Sequence, residues 1–136
     1  MRRSNLVVLI VAVLAVFAVA AMLNAQDKPM AKAEMITGTL VDLKCYAMAG
    51  LSSNDHGDAK GCGAACASGG LPVALVDADK KVHMLGVAAP AYAKYVGQEV
   101  RFTGMHAKHA DVFIPEKLEV KEGDKWMEKK LPKTMM

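Results

Sequence analysis

The three cysteines of this chain, Cys45, Cys62 and Cys66, share one short stretch with Met48, Asn54, Asp55, His56 and Asp58. Thiols, a thioether, an imidazole and carboxylates therefore crowd into little more than twenty positions, and metal binding is the first chemistry this suggests. Cys62 and Cys66 are four residues apart, so on a helix both thiolates lie on one face and reach one ion. Cys45, expected at the end of a strand, closes from the other side. His56 or Met48 supplies the remaining ligand. Thiolate with imidazole suits zinc, and thiolate with thioether suits copper(I).

The same cysteines admit a second reading. In an exported chain thiols are normally oxidised, and three is an odd number. A disulfide from Cys45 to Cys62 or to Cys66 would pin the loop to the first strand and leave one thiol spare. Closing a loop of this length is worth about 3 kcal/mol in the chain-entropy model. A Cys62–Cys66 bond has awkward geometry at helical spacing. A thiol–disulfide redox pair is the third reading, although the Cys-x-x-x-Cys spacing lacks the short redox motif.

Other motifs carry less. No nucleophile–base–acid set stands out, and Gly61-Cys-Gly63 lacks the Lys-Ser/Thr of a phosphate loop. Catalysis is therefore not assigned. Asp55-His-Gly-Asp58 does not have calcium-loop spacing and is expected to be a solvated turn. His83-Met84 and Met105-His106 put adjacent copper-ligand types on two strands, but neighbours on a strand point to opposite faces. Alternation with Val82 predicts Met84 in the core and His83 in solvent.

The elements that must hold the cysteines follow an export device. Met1-Arg-Arg-Ser-Asn is a basic start, Leu6 to Leu23 carries no charge, and Leu23-Asn24-Ala25 offers a cleavage site. Residues 1–25 are expected to be a signal peptide, or an uncleaved anchor, since the apolar run is just long enough to span a bilayer. Either version places the domain in the periplasm or outside the cell, tied to the inner membrane only if uncut. The expected partners are a metal ion or a periplasmic protein. Without Arg2 and Arg3 the 17 basic residues fall to 15 against 14 acidic ones. That near-neutral balance excludes a nucleic-acid binder that works through a basic surface.

Residues 26–34 form a polar linker, and 35–128 a single domain with a cysteine loop at 43–70. Strands are expected at Met35–Asp42, Pro72–Asp77, Lys81–Leu85, Glu99–Met105 and Asp111–Val120, with a last short one carrying Trp126. Asp77-Ala-Asp-Lys80 makes a hairpin turn, Ala64–Ala67 a short helix stopped by Gly69-Gly70, and Ala89-Pro90 opens a helix that Gly97 closes. Pro115 implies an edge or a bulge. Residues 129–136 form a tail. Three strands, a helix and two further strands is the element order of a small OB-like Greek-key barrel, so the fold class is mainly β.

Thr37-Gly-Thr-Leu-Val-Asp-Leu-Lys-Cys45, Gly61-Cys-Gly-Ala-Ala-Cys66, Pro72-Val-Ala-Leu-Val and Gly97-Gln-Glu-Val-Arg-Phe-Thr-Gly104 together resemble a group of small secreted bacterial proteins of unknown function. Gly38, Asp42, Cys45, Cys62 and Cys66 match that pattern, and His56 falls in its variable loop. The resemblance implies export and a small β-barrel, and brings no activity with it. Ala107-Lys-His109 with Ile114-Pro-Glu is similar to the haem-bearing segment of the periplasmic haem chaperones. Those chaperones have Tyr where Phe113 stands and lack a cysteine cluster.

Overall fold

A computed structural model describes residues 33–132 of the chain. The expected signal segment, residues 1–25, lies outside them, as do most of the linker and the end of the tail. Among the described residues no helix is long and apolar enough to cross a membrane.

The described part is mainly β. Six strands, β1 (Glu34–Asp42), β2 (Val73–Val76), β3 (Val82–Met84), β4 (Glu99–His106), β5 (Phe113–Glu122) and β6 (Lys125–Lys129), form one antiparallel sheet in the order β3-β2-β1-β4-β5-β6. Two short α-helices, α1 (Leu43–Ala49) and α2 (Cys62–Ser68), lie between β1 and β2, and a 3-10 helix, Ala89–Tyr95, lies between β3 and β4. No ladder closes the sheet. A parallel bridge between Leu85 and Phe113 links across the gap, and the Gly86 N–H donates to the Phe113 carbonyl at 2.9 Å.

The sequence pattern explains most of this. β4 alternates burial residue by residue, as Val100, Phe102 and Gly104 turn inward while their neighbours face out. Leu40, Leu75, Val100, Phe102, Phe113 and Leu118 fill the core, which the 3-10 helix covers with Tyr92 and Ala93, followed by Val96 just beyond its end. Pro115 sits where the β4–β5 register shifts between Thr103 and Gly104, so the proline marks a bulge in an interior strand. The Asp77–Lys80 turn forms as expected, with Lys80 in the left-handed region at φ 64°.

Two expectations need correction. The segment around Cys45 is a helix and not the end of a strand: Asp42 caps α1 by accepting from the Lys44 N–H at 3.0 Å, and Gly50 ends it at φ 67°. β3 also has the opposite phase to the one expected. His83 is 6% exposed and Val82 38%, because the Asp77 carboxylate waits beside the inward position and satisfies the imidazole.

Candidate metal centre

α1 and α2 bring the three cysteines together. Cys62 and Cys66 lie one turn apart on α2, and Cys45 reaches them from α1. The three Sγ atoms all lie within 4.8 Å of one another, each half-buried, and all three thiols are free. Three cysteines held this close could hold a metal ion.

The helices are short and need help to form. α1 depends on its Asp42 cap, and its first residue is tied to the chain beyond α2, where the Leu43 N–H donates to the Pro72 carbonyl at 3.0 Å. α2 begins at Gly61, which offers no side-chain cap, so the preceding loop caps it from a distance. Asn54 Oδ1 accepts from the Ala64 N–H, and Asp55 Oδ1 accepts from the Gly61 N–H, both at 2.8 Å. Asn54 is itself pressed against the core side. A Cβ on Gly97, whose φ is +83°, would stand 2.6 Å from the Asn54 nitrogen, so only glycine fits there. Gly63 on α2 meets Val96 in the same way, at 2.7 Å from a built Cβ. The expected stop after α2 is present, with Gly69 as its cap and Gly70 at φ 94°.

Asp42 sets the electrostatics of the cluster. Its side chain is buried, Oδ1 is taken by the helix cap, and no hydrogen bond of full geometry reaches Oδ2. The Cys45 thiol lies against this carboxylate. Hydrogen bonding to it, reinforced by desolvation and by the negative charge, pushes the Cys45 thiol up to about 12. Cys66 is also raised, first by burial and then by the Asp42 charge and the neighbouring Cys62. Cys45 and Cys66 therefore hold their protons tightly beside Asp42, and an ion that binds them must displace those protons.

The other two residues expected as ligands stand differently. His56 is outside the group of close ligand atoms. Its ring Nε2 is 2.9 Å from the Ser53 carbonyl, and its backbone pairs with Ala59 in a small turn that Lys60 and Asp55 brace. The Asp55–Asp58 segment is thus the turn expected of it. Met48 follows Cys45 by one turn on α1 and is 79% exposed. Sequence reasoning passed over Asp42 as part of the site and saw it only within a shared pattern. A carboxylate three residues before a cysteine, at a helix start, was the available signal.

A separate concavity of about 530 Å³ opens beside α1, with Tyr46, Thr37, Thr39, Asp77, Lys80 and Glu99 among its walls. No cysteine or histidine lines it.

No family model, no curated protein and no solved structure matches this chain.

Proposed function

We infer that this chain is an exported small binding domain whose Cys45, Cys62 and Cys66 hold a soft or borderline metal ion, copper or zinc, without catalysing a reaction. The approach of three Sγ atoms to within 4.8 Å of one another carries the reading. Such spacing lets three thiolates share one ion, and thiolate sets select copper(I) and zinc over harder cations. Copper(I) is satisfied by few soft donors, whereas structural zinc takes four ligands. The Met48 thioether, one turn beyond Cys45, is the nearest soft group along the chain to complete a copper(I) set.

The export half of the reading rests on Arg2-Arg3, the uncharged run Leu6–Leu23 and Ala25. The resemblance to small secreted bacterial proteins points the same way. An OB-like barrel is favoured by the placing of β1 between β2 and β4 and by the Leu85–Phe113 bridge between the ends of β3 and β5.

One observation also favours a second reading. Thiols this close need little movement to form a Cys45–Cys62 or Cys45–Cys66 disulfide that joins α1 to α2. The domain would then be an interaction module with a stapled loop. Intact mass of unreduced protein separates the two. A native copper or zinc increment with three alkylatable thiols after denaturation supports the metal site. A metal-free mass two protons light, with one alkylatable thiol, overturns it.

A further inference from the structure

His83 lies on β3 with its side chain 5% exposed, and its Nε2 is 3.0 Å from Asp77 Oδ2. Asp77 is held in place because its Oδ1 accepts from the Asp79 and Lys81 N–H groups at 3.0 and 2.9 Å. The His83 ring, followed by these two backbone donors, keeps the Asp77 carboxyl below its usual range, so it is ionised and can only accept. The proton of a neutral His83 ring therefore belongs on Nε2. Nδ1 is left as a bare lone pair, buried and without a partner.

A second imidazole stands beside it. The ring centre of His106 on β4 is 6.1 Å from that of His83, with the planes tilted by 45°. The Nε2 of His106 is 3.7 Å from Glu34 Oε2, and its ring meets Phe113 edge-on with centres 5.3 Å apart. The fold creates this neighbourhood. His106 pairs with Phe113 across β4 and β5, and the Leu85–Phe113 bridge draws the end of β3 to the same place.

His83 thus has a hydrogen-bonded carboxylate at Nε2 and an unpartnered, buried Nδ1, while His106 has the Glu34 carboxylate near its own Nε2. Carboxylates so placed orient metal-binding histidines and raise the basicity of the other nitrogen. Two imidazoles that share an ion through bonds of about 2.0–2.1 Å have ring centres roughly 5–6 Å apart, close to the spacing seen here.

We propose that His83 Nδ1 and His106 Nδ1 form a second metal site, separate from the cysteines, for a borderline divalent ion such as zinc. Imidazole donors suit such ions where thiolates prefer softer ones. The His106 side chain is 35% exposed, so the ion enters from that side and water fills its remaining positions.

The test is a zinc titration of the full chain, with ring nitrogen NMR shifts as the readout. Beyond the zinc taken by the cysteines, His83 Nδ1 and His106 Nδ1 should move together in one saturable step. His83→Gln and His106→Gln should each abolish that step in the remaining ring. Asp77→Asn should weaken it about 10- to 100-fold, as expected for a positioning residue behind a ligand. Movement of neither ring, or of one ring alone, in the wild-type chain overturns the proposal. Persistence of the step at unchanged affinity in either glutamine variant does the same. The wild-type shifts decide the matter even if a variant fails to fold, and they do so whether or not the cysteines bind metal.

Discussion

The Asp42 carboxylate and the Cys45 thiol face each other across the first turn of α1, and hydrogen bonding between them is the main reason the thiol is pushed up to about 12. The same carboxylate starts the helix through Lys44. One residue thus builds the element and sets the charge state of the ligand it carries. Asp42→Asn separates the two roles, since asparagine caps a helix about as well as aspartate. The helix should survive, and Cys45 should titrate closer to an ordinary thiol. Its alkylation rate at pH 8 should rise by roughly tenfold or more, because the thiolate is the reactive form. Rates resolved by peptide mass mapping check this, and an unchanged Cys45 rate would show that Asp42 does not govern the thiol.

The raised Cys45 also fixes a pH window for the metal-free domain. A folded-state value of about 12 against an ordinary 9.0 means that the folded state holds its proton more tightly than the unfolded chain. The stabilisation is fully present below pH 9.0 and is lost as pH rises through about 12. Cys66 shifts in the same direction and adds to the loss. Urea denaturation of reduced, metal-free protein from pH 8 to pH 11 should show a falling midpoint. Asp42→Asn should flatten the fall. Metal binding runs the other way, because protons must leave for the ion to enter, so affinity should climb as pH rises from 6 to 8.

Ligand substitutions should sort the residues by what they touch. Cys66→Ser removes one of three close thiols and should lower copper(I) or zinc affinity by at least roughly 100-fold. His56→Ala should change it by less than about threefold, because the His56 ring is turned to the Ser53 carbonyl and is outside the thiol group. Met48→Ala should weaken copper(I) more than zinc, because a thioether is a soft donor. Competition with a chromophoric chelator measures all three. Equal losses for His56→Ala and Cys66→Ser would place the ion somewhere other than among the three thiols.

The strands were legible in the sequence because their alternation is long enough to count. β4 buries Val100, Phe102 and Gly104 in step, and its pattern leaves one phase open. β3 has three residues, and so short a run cannot fix its own phase. Its inward residue is His83, a choice made by Asp77 across the turn and invisible to hydropathy. The cysteine pair was legible for the same reason as β4, since four-residue spacing on a helix needs no tertiary information. α1 was missed because Leu43–Ala49 spans only seven residues, and its existence rests on the two ends. Asp42 and Gly50 are the signals there, and each is common in loops as well.

The loop over α2 makes the last prediction. α2 starts without a cap of its own, so Asn54 supplies one through Ala64 while Gly97 leaves it room. Asn54→Ala removes the acceptor and should cost about 1 kcal/mol, the usual loss for a helix cap. In a domain of this size that is roughly 4–8 °C in Tm. Because α2 carries two of the three thiols, metal affinity should fall with stability, and saturating metal should restore much of the lost Tm. Gly97→Ala attacks the same contact from the other side, forcing a side chain into a left-handed backbone and against Asn54. It should be at least as destabilising as Asn54→Ala, and the double variant should lose less than the two single losses combined, because both act on one contact. Thermal melts of the three variants, with and without metal, read this out. Fully additive losses would mean that Asn54 and Gly97 support the cysteine helix independently.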